Sequence, residues 1–106
     1  VIIQFGTSRF LQAHVDLFAH EARLAGADVP PIVVVKTTRD AARTSRVTAF
    51  GDPAGFDVII RGLIDGNPVE GTTRVRSVVA GYAVATDWTK IRDLFTTKAT
   101  HVVSNT

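Results

Sequence analysis

Val1-Ile2-Ile3-Gln4-Phe5-Gly6-Thr7-Ser8-Arg9-Phe10-Leu11-Gln12-Ala13-His14 is the stretch whose reading decides the fold. An apolar run ends on a glycine and passes straight into a helix-patterned segment, the outline of a strand that turns tightly and feeds a helix. Such a junction leaves backbone N–H groups unpaired at the helix N-terminus, where a pyrophosphate can be held. The pattern Gly-x-Gly-x-x-Gly stands here as Gly6-Thr7-Ser8-Arg9-Phe10-Leu11, with only its first glycine kept. Gly6 would supply the bend, Thr7 and Ser8 offer hydroxyls and amides, and Ser8 takes the place of the glycine that allows closest approach. An ordinary strand-to-helix turn is the other reading of these residues.

Working outward, Phe10, Ala13, Leu17, Phe18, Ala22 and Leu24 recur near the 3.6-residue period and predict a helix over 9–25, stopped by Gly26. Val29-Pro30-Pro31 gives a rigid connection, and Ile32-Val33-Val34-Val35 is a β-branched run suited to a parallel strand covered on both faces. Together these make a β-α-β unit with a right-handed crossover. Residues 40–50 permit a short helix capped by Asp40, with Ala41, Ala42 and Val47 as apolar members, before a loop at Gly51-Asp52-Pro53-Ala54-Gly55. Segments 58–64 and 69–79 flank Asp65-Gly66-Asn67-Pro68 and predict an antiparallel hairpin turning at Asp-Gly. Asp87 should cap a last helix over 88–97, with Trp88, Ile91, Leu94 and Phe95 on one face, and His101-Val102-Val103-Ser104 should be another buried strand. The expectation is an α/β fold: a Rossmann-like, mostly parallel sheet with flanking helices and an inserted antiparallel β-hairpin.

At 106 residues, 45% hydrophobic and 21% charged, the chain is one globular domain at most and is not disordered by composition. It has no cysteine, which excludes disulfides, thiolate catalysis and cysteine-ligated zinc, and fits a cytoplasmic home. No apolar stretch approaches the roughly 20 residues of a membrane span. Twelve basic residues against ten acidic ones are too even a balance to imply a nucleic acid, so neither nucleic acid nor membrane is expected as a partner. The absence of methionine, even at position 1, and the stop at Val102-Val103-Ser104-Asn105-Thr106 suggest an excerpt of a longer polypeptide, 1–106 being an incomplete dinucleotide-binding domain.

The end of the second strand is where an adenosine ribose would be met. NAD sites offer an acid there, whereas NADP sites place basic groups near the 2′-phosphate. Here the strand runs into Lys36-Thr37-Thr38-Arg39, with Arg43 and Arg46 beyond and only Asp40 opposing them. That excess of positive charge leans toward a 2′-phosphate, and a solvated helix face is the plainer reading. At the other end of the chain, Ser104, Asn105 and Thr106 would emerge where the nicotinamide half lies, since ligands of open α/β sheets bind outside the carboxyl ends of strands. His14, His20 and His101 lack the spacing of a metal set, so no metal is expected; His14 reads as a satisfied structural histidine. Asp16 and Glu21 have no second carboxylate across a cleft and are expected to meet solvent, and Arg61 and Arg76 read as surface groups on the hairpin.

From Phe5-Gly6-Thr7-Ser8-Arg9-Phe10-Leu11-Gln12-Ala13-His14 the chain resembles the N-terminal domain of the long-chain mannitol dehydrogenase family, which includes mannitol 2-dehydrogenase, fructuronate reductase and tagaturonate reductase. The family's turn reads approximately Phe-Gly-x-Gly-x-Phe-x-Arg-Ala-His, so Gly6, Phe10, Ala13 and His14 match, while Ser8 and Gln12 depart from it. Ile60-Arg61-Gly62-Leu63, Asp65-Gly66 and Val103-Ser104-Asn105-Thr106 extend the likeness over nearly the whole chain. The resemblance implies NAD(P)-dependent interconversion of a polyol or aldonate (mannitol, mannonate, altronate) with its keto form. It also implies a separate helical C-terminal domain that carries the catalytic lysine, asparagine and histidine and the substrate contacts, so no catalytic residue is assigned here. The candidate cofactor-binding residues are Gly6, Thr7, Ser8, Arg9, Phe10, Lys36, Thr37, Thr38, Ser104 and Asn105, with NAD first and NADP as the alternative; Lys36 departs from the family, whose second strand often ends in an acid or a neutral polar residue. A Rossmann-like binding or regulatory module that does no chemistry is the competing reading.

Overall fold

The computed structural model describes residues 1–38 and 44–104. Four parallel strands form one sheet: β1 (Ile2–Phe5), β2 (Ile32–Lys36), β5 (Val78–Ala83) and β6 (His101–Ser104), in the order β5-β2-β1-β6. Two further strands, β3 (Phe56–Ile64) and β4 (Asn67–Val75), pair antiparallel as a separate two-stranded sheet. The helical segments are α1 (Arg9–Leu11), a π turn (Gln12–Asp16), α2 (Leu17–Leu24), α3 (Thr44–Ala49) and α4 (Val84–Thr97). The fold is therefore mixed α/β.

β2 is the sheet's most apolar strand, and all five of its residues are buried. It lies between β1 and β5, with helices over both faces, so its β-branched side chains pack on either side of the pleat. On one face Ile32 and Val34 gather with Phe50 and Val78, and Val15 and Ala19 of the opening helical run pack against them. On the other, Ile3 and Val35 meet Ile91 and Leu94 of α4. The helix that leaves β5 crosses behind the sheet to reach β6 on the far side of β1, so it covers the opposite face from the run that links β1 to β2.

Several expectations from the sequence change in three dimensions. The helix over 9–25 is present, but it widens into a π turn at Gln12–Asp16, and the inserted residue rotates the later turns about the axis. Leu17 is buried as expected, but Phe10, Phe18 and Leu24, expected on the same apolar face, are exposed, while Leu11 and Asp16 turn inward. The segment over 69–79 is not one strand. It breaks at Arg76-Ser77, and β5 leaves the hairpin to pair in parallel with β2, because Val78 and its neighbours are apolar enough to be covered there. α4 carries an added first turn from Val84, and Asp87 stands at the kink (φ −120°, ψ 23°) where the expected helix over 88–97 begins, its carboxylate accepting from the Ala83 amide. Its outward side leaves Trp88 and Phe95 exposed. β6, expected to be buried, is largely exposed: among the described residues it is an edge strand that pairs with β1 alone. Arg76 lies in the link after β4 and not on the hairpin. The expected cap Asp40, with Ala41, Ala42, Arg39, Arg43, Asn105 and Thr106, lies outside the described residues, as does the side chain of Arg46.

Candidate functional site

Parallel pairing aligns the strand ends. Phe5 pairs with Val35 on one side and with Ser104 on the other, and Lys36 pairs with Ala83. The turn after β1, the exit of β2 and the exit of β6 therefore share one rim of the sheet, and the crossovers diverge on either side of β1 there. That is the place where an open parallel sheet leaves a crevice.

The turn itself is built from short-range bonds. Gly6 takes φ 131°, a conformation that favours glycine, and its amide donates to Val35 O at 3.0 Å. Ser8 is the N-cap of α1, and its Oγ accepts from the Leu11 amide at 3.2 Å. Gln12 Nε2 donates to Thr7 O at 3.2 Å and Gln4 Nε2 to Gly6 O at 3.3 Å, so two glutamine amides hold the turn from either side. The Gly6 amide is thus spent on β2, whereas the Ser8 hydroxyl oxygen accepts from Leu11 and keeps its own proton to donate. The amides of Arg9 and Phe10, at the first two positions of the helix, have no intrahelical carbonyl to meet.

The remaining candidates fall around the same rim. Lys36 is buried, and its ammonium donates to Thr38 O at 2.8 Å, curling over the end of β2. Thr37 and Thr38 are exposed beside it, and Ser104 is exposed at the end of β6. Asn105 lies outside the described residues. Phe10 and His14 stack with centroids 4.2 Å apart, and His14 meets Phe18 edge-on, which makes an exposed aromatic stripe along the outer side of the opening run. His14 Nδ1 lies 2.7 Å from Phe10 O, a local structural bond. No group of three metal-ligating side chains is present among the described residues.

The hairpin adds a wall that no local sequence signal announces. Val58 and Val75 pack on Leu17 and Ala13, and β3 then runs back along the helical segment, so that Arg61 comes near Arg9. Between them lies an open cleft of about 440 Å³, lined by Arg9, Gln12 and Ala13 on one side and by Asp57, Val58, Ile59 and Arg61 on the other. Ion pairs across the ladder steady its rim: Arg61 Nε to Glu70 at 3.0 Å and Arg74 Nε to Asp57 at 2.8 Å. Arg61, a plain surface group by its sequence, therefore lines a cleft beside the turn. Only the tertiary path of the hairpin reveals this.

Asp16, expected in solvent, is fully buried instead, because the π turn points it at the sheet. Gln4, on β1, is equally buried and donates from Nε2 to Asp16 Oδ2 at 3.4 Å. Ser77 Oγ donates to the Asp16 backbone carbonyl at 2.6 Å, tying the helical run to the start of β5. Burial drives the Asp16 carboxyl up to about 7, with the Gln4 hydrogen bond opposing the rise. Glu21, by contrast, is exposed as expected. A polar pair at Gln4 and Asp16, twelve residues apart, has one legible sign: Gln4 is the lone polar residue in an otherwise apolar opening strand.

No helix among the described residues is long and apolar enough to cross a membrane. Comparison with known proteins finds no matching family, no matching curated protein and no matching solved structure.

Proposed function

We propose that the chain is the NAD(P)-binding portion of an oxidoreductase that interconverts a polyol or aldonate with its keto sugar. The observation that carries this reading is the shared rim. The strand order β5-β2-β1-β6 is the 3-2-1-4 order of one side of a doubly wound, Rossmann-type sheet together with the first strand past its switch point. The turn after β1 and the exit of β6 adjoin at that point. The helices on opposite faces support the same topology.

In this reading a diphosphate meets the amides of Arg9 and Phe10, with Thr7 beside them, and the adenosine end lies toward Lys36, Thr37 and Thr38. The nicotinamide end lies toward Ser104. Because the Lys36 ammonium is turned onto Thr38 O, it acts as a tie for the loop, which favours NAD over NADP. The residues of this chain bind and orient a dinucleotide; the base that removes the alcohol proton, and the substrate contacts, belong to a helical domain outside this chain. The bound cofactor would supply hydride transfer.

The test is calorimetric titration of the full-length polypeptide with NADH and NADPH, followed by an activity screen with mannitol, mannonate and altronate. Saturable binding of NADH, weaker binding of NADPH and turnover of one of the three is the expected result. Failure of both nucleotides to bind at millimolar concentration ends the dinucleotide reading, and binding without turnover of any sugar leaves a non-catalytic nucleotide module.

A further inference from the structure

Beneath the opening turn, the buried Gln4 and Asp16 leave two polar atoms, Gln4 Oε1 and Asp16 Oδ1, with no partner among the described residues. Both are acceptors, and both belong to side chains with no exposed surface. A buried acceptor without a donor costs free energy, so a native core carries few of them. The two orphans lie on the two groups already joined by Gln4 Nε2 and Asp16 Oδ2. An acid and an amide joined at one point have a complement at the other: a proton carried on Oδ1 would give Oε1 the donor it lacks and make the pair two-point. The second Nε2 hydrogen stays on Gly6 O.

We propose that the Gln4–Asp16 pair is a proton-operated latch on the turn after β1. With Asp16 protonated, the closed acid–amide pair fixes the Gln4 side chain, and Gln4 in turn holds Gly6 and the backbone beyond it. With Asp16 ionised, the carboxylate can only accept. The pair opens at Oδ1 and Oε1, the buried charge draws water or a rearrangement of the π turn, and the hold on Gly6 slackens. The π turn is the part of the helical run able to give, since its wider ladder already departs from α geometry.

Among the described residues, charged and titratable groups stand on the elements that adjoin the pair. On the same helical run stands His20, whose Nδ1 accepts from the Arg76 amide. The link before β5 contributes Arg76 and the hydroxyl of Ser77, and β2 contributes Lys36, whose ammonium is on Thr38 O. β1 contributes the neutral Gln4 alone. Burial is the cause that raises the proton affinity of Asp16, and Gln4 is the one group that opposes it. The latch thus works near neutral pH, and it does so whatever ligand the crevice takes.

The test is a pH titration of the full-length polypeptide by NMR, tracking the Asp16 carboxyl carbon together with the amides of Gly6, Thr7 and Ser8. The expected result is a carboxyl midpoint near 7, with the three amides shifting at the same midpoint. Asp16→Asn, which keeps an uncharged partner for Gln4, should abolish that step in the amides. A carboxyl that titrates near 4 overturns the proposal, and so do turn amides that ignore the Asp16 midpoint. The titration of the unaltered protein decides the matter alone if the variant does not fold.

Discussion

The parallel sheet and the β3–β4 hairpin are both extended chain, but different forces hold them. β2 is buried along its whole length, between neighbouring strands and under helices on both faces. β4 is exposed from Asn67 to Thr72 and is covered at its far end, where Val75 meets Leu17 and Val58. The sheet is thus a hydrophobic assembly whose strands depend on distant partners. The hairpin is a local ribbon, made by its Asp65-Gly66 turn (φ 52° and 80°), its backbone ladder and its cross-strand ion pairs. A buried element tolerates no change of volume, whereas an exposed ribbon is free to carry polar side chains toward a ligand. The open cleft lies where the hairpin meets the opening helical run, beside the turn after β1.

The sharpest way to break that contrast is to remove equal volumes from its two sides. Ile3→Ala, at a residue with no exposed surface, should destabilise the chain by roughly 2–5 kcal/mol. Leu63→Ala, at a residue 73% exposed, should stay within about 0.5 kcal/mol. Denaturant melts of the two variants measure the difference, and equal losses would show the hairpin to be part of the same core.

Next in size is the pH dependence set by Asp16. Its carboxyl rises from an ordinary 3.8 to about 7 in the folded chain, so between those values the folded state binds a proton that the unfolded state has released. Its stabilising contribution is complete below about pH 4, is lost as pH rises through about 7, and does not return above it. The loss is on the order of a few kcal/mol at 1.36 kcal/mol per pH unit. Asp16→Asn should flatten this slope and melt above the unaltered protein at pH 8. A slope that survives the substitution would assign it to other groups.

The smallest effect belongs to the hairpin's charges. A double-mutant cycle on Arg61 and Glu70 should give no more than about 1 kcal/mol, falling with added salt, because both side chains are mostly exposed. A coupling well above that would mean the ribbon is held by its ion pairs more firmly than its exposure allows.

Much of the fold is legible without any coordinates. The β-branched run at Ile32–Val35, the Asp65-Gly66 turn and the glycine after Phe5 are local signals, and each marks its element closely. The strand at 69–79 is legible only in part. Nothing local separates Val75 from Val78, and what divides them is that one packs on Leu17 while the other pairs toward β2. The site is legible where backbone alone is needed, at Gly6 and the first helical residues. It is hidden where side chains have to choose partners, as with the Ser8 hydroxyl turned to the Leu11 amide and Lys36 turned to Thr38.

By itself the sequence determined the alternation of strands and helices and the place of the turns, because periodicity and turn chemistry act over a few residues. Tertiary structure alone decided the burial of Asp16 against Gln4, the exposure of Phe18, and the lining of one cleft by both Arg61 and Arg9. One extra residue in a helical turn rotates every side chain beyond it, and a hairpin's direction is set by what its base packs on. Neither quantity is written in the spacing of apolar residues.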